Sequence, residues 1–260
     1  MGGFYRYAMI RLIAVSLFVL LFLILSIPVW GVEWLIARKH PYAADISQLR
    51  IVQWAFKVVL FLSGTRITVE GEENIPKGEA VLYIGNHRGF FDTVVTYQRC
   101  PGLTGYVAKD SIEHVPLLSL WMKRLHCQFL NRDDKKAGLK TILSCIEQVK
   151  NGVSICIFPE GTRCESDDNT EMLPFKEGSF KIAEKTGCPI VPMALTGSAD
   201  VFERQFPFIK SASVTLTYGK PIYPKELEKD QQKHLGSYTQ NIILEMLKDQ
   251  QKAIGQKTSD

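Results

Sequence analysis

Polar residues are sparse in the first 64 positions and apolar ones run together, whereas from residue 65 short apolar runs alternate with segments of helical period. From Leu12 to Gly31 the stretch "LIAVSLFVLLFLILSIPVWG" carries no charge. About 20 helical residues at ~1.5 Å each cover ~30 Å, the thickness of a bilayer's hydrocarbon core, so this run predicts a membrane helix. Its length, and the lack of a small-x-small cleavage site in "SIPVWG", favour a retained anchor over a cleaved signal peptide. Trp30 and Trp34 suit an interface, and Pro28 is expected to kink or end the helix within the membrane. A second run, "IVQWAFKVVLFLS" (51–63), is too short to span. It predicts a helix lying in the interface or re-entering one leaflet, with a buried helix of the soluble domain as the alternative. Basic residues flank the first run on both sides (Arg6 and Arg11, Arg38 and Lys39), so charge does not set its orientation.

Beyond Gly64 the pattern predicts strands at 66–71, 80–86, 103–108, 127–131, 153–159, 189–195 and 213–219. Helical periodicity falls near 92–99, 115–124, 135–150 and 177–187, with a terminal helix inside 224–254. Strands separated by helices imply crossover connections and a mostly parallel central sheet flanked by helices, an α/β fold. The chain therefore divides into an N-terminal membrane-anchoring segment (1–64), an α/β domain (65–255) and a short flexible tail (256–260).

Composition narrows the function. The 31 basic and 27 acidic residues are too evenly balanced to point to a nucleic acid. Six scattered cysteines form no C-x-x-C pair, and three of them sit in apolar stretches, which fits a reducing, cytosol-facing environment. The five histidines (40, 87, 114, 126 and 234) show no H-x-x-x-H or H-E-x-x-H spacing, so neither a metal nor a cofactor is expected.

Ligands of such sheets gather outside the carboxyl ends of the strands. Three of these ends carry unusual polar residues: "NHRGFFD" (86–92), "NRDD" (131–134) and "EGTR" (160–163). His87 and Asp92 lie five positions apart, which on a continuous helix leaves their side chains about 140° apart. A turn must intervene. With a turn at Gly89 and a helix starting near Phe91, the Asp92 carboxylate accepts a proton from one imidazole nitrogen and the other becomes a base facing the crevice. The bland alternative is that Asp92 only caps a helix and His87 is a loop histidine. In "FPEGTR", Gly161 permits a sharp turn and Arg163 brings a planar donor suited to phosphate; Arg132 and Lys109 follow their own strands and add two more cations.

The motifs "NHRGFFD", "FLNR", "FPEGTR" and "VPMAL", in this order and over residues 80–197, closely resemble the four motifs of the glycerolipid acyltransferases, specifically the PlsC-type 1-acyl-sn-glycerol-3-phosphate acyltransferases. The resemblance implies His87 as general base and Asp92 as its orienting partner. It implies acceptor-binding roles for Arg132, Glu160, Gly161, Thr162 and Arg163, a phosphate contact at Lys109, and Pro192 in the fourth motif. The implied reaction moves an acyl group from acyl-CoA or acyl carrier protein to the 2-hydroxyl of lysophosphatidic acid, at a membrane and on its cytoplasmic side. Cys164 stands where serine is common after the third motif. The rival readings are the same chemistry on glycerol 3-phosphate, another lysophospholipid or an aminolipid; a membrane-anchored thioesterase or hydrolase, disfavoured by the missing G-x-S-x-G elbow; and a non-catalytic lipid-binding scaffold. Cys164 and Ser179 are the conceivable covalent nucleophiles, but neither neighbours a base in sequence, and direct transfer is expected.

Overall fold

The computed structural model describes the backbone of residues 2–257 and the side chains of 5–256. Three helices open the chain: α1 (Gly2–Leu25), α2 (Ile27–Ala37) and α3 (Pro41–Ser63). Seven strands follow: β1 (Arg66–Glu70), β2 (Leu82–Gly85), β3 (Thr104–Lys109), β4 (Gln128–Leu130), β5 (Ser154–Ile157), β6 (Ile190–Thr196) and β7 (Ser213–Tyr218). Between and after them lie α4 (Phe90–Gln98), α5 (Leu118–Arg124), α6 (Lys135–Lys150), α7 (Lys181–Thr186), α8 (Lys229–Lys233) and α9 (Leu235–Lys257). Each strand falls inside, or within one residue of, the run that predicts it. Of the tail assigned to 256–260, residues 258–260 lie outside the described residues.

The strands form one sheet in the order β1-β7-β6-β2-β5-β3-β4. All neighbours are parallel except β6 and β7. Hence β6, β2, β5, β3 and β4 point their carboxyl ends to one edge, while β7 and β1 run the other way. Side-chain alternation sends Tyr83, Tyr106, Cys156 and Met193 to one face, under α1, α3, α4 and α5. Leu82, Ile84, Ile155 and Ile190 go to the other face, under α6, α7 and α9. With both faces covered, β2 and β6 are buried throughout, as near-continuous apolar runs require. Fully burying each such large side chain contributes roughly 1.5–3 kcal/mol.

The N-terminal segment meets one expectation and departs from another. The apolar helix expected over 12–31 is interrupted at Ser26, two residues before the Pro28 expected to kink or end it; the Ser26 hydroxyl donates to Leu23 O at 2.9 Å and accepts the indole N–H of Trp121 at 2.8 Å. Ser26 N still donates to Phe22 O and Trp30 N to Ser26 O, whereas Pro28, in the first turn of α2, has no N–H to continue the ladder between them. The run at 51–63 is only the second half of α3, which has 23 residues. Polar residues disguised its first half, and the fold gives them partners: Ser47 donates to Glu33 Oε1 at 2.6 Å and Asp45 pairs with His126 at 3.0 Å. One face of α3 (Leu49, Val52, Val59) enters the core, and Gln53 donates to the carbonyls of Tyr97 and Cys100. Trp54 and Phe61 on its other face are exposed. The buried face fits the reading of a helix packed on the soluble domain, and the exposed face is apolar. By length and apolar composition, Tyr5–Leu25 and Pro41–Ser63 each suffice to cross a bilayer.

Candidate active site

The site grows from the end of β2. Asn86, the first residue past the strand, is fully buried; its side chain donates to Leu195 O at 2.9 Å and accepts from Leu195 N at 2.8 Å. These two bonds extend the pairing of β2 with β6 through a side chain, so the backbone leaves the sheet at His87. Asp92 is the third residue of α4 and wholly buried. Its Oδ2 accepts the N–H groups of Arg88 at 2.6 Å and Gly89 at 2.8 Å, and lies 2.8 Å from His87 Nδ1. The turn anticipated between the two residues is thus wrapped around the carboxylate, which also sits in the favourable positive end of the helix dipole. An acceptor on Nδ1 keeps that nitrogen protonated and leaves Nε2 with its lone pair. The His87 side chain keeps 20% of its surface exposed, and its ring stacks on Phe158 with centroids 4.6 Å apart.

Gly89 is there for a reason the sequence did not suggest. Its backbone is extended, with φ −166°. What it provides is room: a Cβ on it would run into the carboxylate of Glu203 as that side chain is placed. Glu203, from the loop after β6, accepts the N–H of Phe90 at 2.7 Å and pairs with Arg163 at 3.1 Å. Burial pushes its carboxyl above the ordinary glutamate range.

The third motif braces the first. Glu160 is 4% exposed, and its two oxygens accept the N–H groups of His87 at 2.6 Å and Leu173 at 2.7 Å. Desolvation raises its pKa. Cys164 N donates to His87 O at 2.8 Å, so both backbone groups of His87 are fixed by this loop. Arg88, 3% exposed, donates from its guanidinium to the carbonyls of Ser166, Asp168 and Glu171, and so holds the loop that follows the motif. Gly161 has φ +77°, a conformation that favours glycine. Lys176 packs over it, its Nζ only 2.6 Å from where a Cβ would lie. Thr162 is exposed beside it. The Arg163 guanidinium lies 4.5 Å from the centre of the Phe90 ring.

Lys109 ends β3 and Arg132 follows β4 by two residues; both are exposed. Carrying the strand register onward sets Lys109 level with Pro159 and Asn86. At ~4.8 Å per strand, β3 and β4 lie about 10 and 14 Å along the edge from β2. Partial burial lowers the Arg132 pKa, with Asp110 and Asp133 opposing. Pro192 is buried within β6. The residues brought tightly together are therefore His87, Asp92, Glu160 and Gly161, with Arg163 turned toward Glu203. Arg88 and Phe158 belong to the site as well; they stand inside the motifs "NHRGFFD" and "FPEGTR" but were assigned no role, whereas Glu203 and Lys176 were missed because nothing in their local sequence marks them. Cys164 and Ser179 are buried, and neither forms a side-chain hydrogen bond with His87. Among the described residues, no group of three or more His, Cys, Asp or Glu is placed to hold a metal ion.

A histidine whose Nδ1 meets a buried carboxylate, on the carboxyl edge of an α/β sheet that also bears cations, has the geometry to take a proton from a hydroxyl held near an anionic group. The model of the family described as Acyltransferase matches residues 66–196, and the chain belongs to that family. A 1-acyl-sn-glycerol-3-phosphate acyltransferase from Cocos nucifera is 29% identical over 89% of this chain and 74% of its own. One from Borreliella burgdorferi is 31% identical over 74% of this chain and 75% of its own. The crystal structure of the 1-acyl-sn-glycerophosphate (LPA) acyltransferase PlsC from Thermotoga maritima superposes with a TM-score of 0.78 at 21% identity, covering 95% of this chain and 98% of that one, and shares the fold.

Proposed function

We propose that the protein is an O-acyltransferase that esterifies the 2-hydroxyl of 1-acyl-sn-glycerol 3-phosphate with the acyl group of a thioester, giving phosphatidic acid for phospholipid synthesis. The observation that carries this reading is the His87–Asp92 pair, whose free Nε2 sits at the crevice beside the third motif; the names of the relatives supply the acceptor. In the reaction, His87 Nε2 takes the hydroxyl proton as the oxygen attacks the thioester carbonyl. Asp92 stabilises the imidazolium. As the tetrahedral intermediate collapses, the C–S bond breaks and the imidazolium returns its proton to the departing thiolate. No covalent acyl-enzyme is required, in keeping with the burial of Cys164 and Ser179.

Lys109, Arg132 and Arg163 attract the acceptor's phosphate and so position its hydroxyl, with Thr162 and the Gly161 turn lining the approach. Glu160 acts at one remove, by fixing the backbone of His87. The acyl donor is acyl-CoA or acyl carrier protein. The outward faces of α1 and α3 lie in the bilayer, and the cytosolic supply of acyl thioesters sets the catalytic domain on the cytoplasmic side.

The test is acyl transfer by purified protein in lipid, with lysophosphatidic acid offered beside glycerol 3-phosphate and other lysolipids. Phosphatidic acid formation that drops by ~10²–10⁴-fold in His87→Ala supports the proposal. Release of free fatty acid without ester formation, or transfer indifferent to His87, overturns it.

A further inference from the structure

Beside His87 the surface turns abruptly apolar. Phe90, in the first turn of α4, is 55% exposed, and Phe206, at the tip of the loop after β6, is 74% exposed. Phe202 joins them, its ring centroid 6.2 Å from Phe90 and 5.6 Å from Phe206. Two residues on, Phe208 meets Tyr5 of α1 edge to face at 5.9 Å. An aromatic strip therefore leads from the catalytic helix across this loop to the helix whose outer face, including Ile13, Leu17 and Leu20, is exposed and apolar.

The loop presenting this strip is braced. Arg204 bonds Asp200 and the carbonyls of Ser166 and Asp167, Lys210 N donates to Val201 O, and Phe208 N donates to Gln205 O. Exposed phenylalanines held in place in this way are not the mark of a collapsed or frayed segment; contiguous apolar surface of this kind marks an interaction site. Two features select its partner. The strip is continuous with the apolar face of α1, and a cation, Arg163, sits directly on its Phe90 end. A positive group at the border of an aromatic surface matches the boundary between phosphate headgroups and acyl chains in a bilayer.

We propose that Phe90, Phe202 and Phe206 form a lip that dips into the interfacial layer of the membrane. The acceptor's acyl chain then stays in lipid while its headgroup rises over Arg163 to His87. This deepens the proposed function and rests on it for the identity of the acceptor, but the contact with lipid is measurable without catalysis.

All six native cysteines are buried, so a single Phe206→Cys can be labelled selectively with an environment-sensitive fluorophore in the full chain, reconstituted into phosphatidylcholine–phosphatidylglycerol vesicles. The same label at Phe61→Cys on the outer face of α3, and at Lys140→Cys on α6 across the sheet, provides the comparison. A blue-shifted emission at position 206, quenched by nitroxide-labelled lipid as at 61 and unlike 140, is the expected result. A water-like emission at 206 overturns the proposal, whether or not 61 shifts; so does an equal shift at 140. In activity assays on vesicle-borne lysophosphatidic acid, Phe206→Ser is expected to raise the apparent KM about 3–10-fold, with kcat retained and Phe206→Leu restoring the wild-type value. If no acyl transfer occurs at all, the proposed function fails while the fluorescence result still decides the lip.

Discussion

At the end of β2 one oxygen of Asp92 receives two backbone N–H groups and the imidazole of His87, whereas at the ends of β3 and β4 the cations Lys109 and Arg132 are exposed and form no ion pair among the described residues. The same sheet edge thus carries a rigid half and a loose half. The contrast follows from the forces each half relies on. Proton abstraction needs a hydrogen bond, which weakens steeply with distance and angle. Attraction of a phosphate falls only as the inverse of distance, and a long cationic side chain can adjust to it. On the proposed function, rigidity is built where the chemistry is directional and omitted where it is Coulombic.

Substitutions in the two halves should therefore fail differently. Asp92→Asn can keep an oxygen on the same three donors but removes the negative charge that stabilises the imidazolium, and kcat should fall by ~10²–10⁴-fold with KM little changed; single-turnover kinetics would show the loss in the chemical step. Glu160→Gln retains one acceptor for its two backbone donors. It should cost about 1–3 kcal/mol of stability, read from denaturant unfolding, and lower kcat roughly tenfold. If kcat is unaffected, the brace is not needed for the base. In the loose half, Lys109→Ala and Arg132→Ala should each raise the acceptor KM by about tenfold while leaving kcat and thermal stability near wild type. A kcat effect there as large as that of Asp92→Asn would dissolve the distinction between the halves.

The smallest expected effect is a pH dependence at Glu203. Burial raises its folded pKa above that of the unfolded chain, so in the window between the two values the native state binds more protons than the unfolded one. Stability should accordingly fall as pH rises through that window. Glu203→Gln removes this contribution and leaves the similar one from Glu160, flattening the plot of Tm against pH on its acid side. Parallel plots for wild type and variant would show that Glu203 does not carry the buried charge.

Much of this protein was readable along the chain. A strand covered on both faces must be nearly all apolar, so "AVLYIGN" and "PIVPMAL" announce β2 and β6. His87 and Asp92 were readable because they interact within one turn, and the wrapped loop between them is what their five-residue spacing demands. The start of α3 was not. Polar residues at 45–53 are helical because partners from α2, α4 and the loop before β4 satisfy them. Local hydropathy does not contain that information.

Residue order fixed the fold class, the family resemblance and the candidate His87–Asp92 pair, since each depends on short-range pattern: apolar runs separated by helical periods, a turn and a carboxylate within reach. Tertiary structure alone decided that Glu160 holds His87 from 73 positions away, that Glu203 fills the space left open by Gly89, and that Phe206 stands beside the catalytic helix. These relations arise from strand ends that are distant in the chain and adjacent in the sheet. The physical reason is the sheet order itself, which sets β5 and β6 on either side of β2 and makes neighbours of loops that the chain keeps far apart.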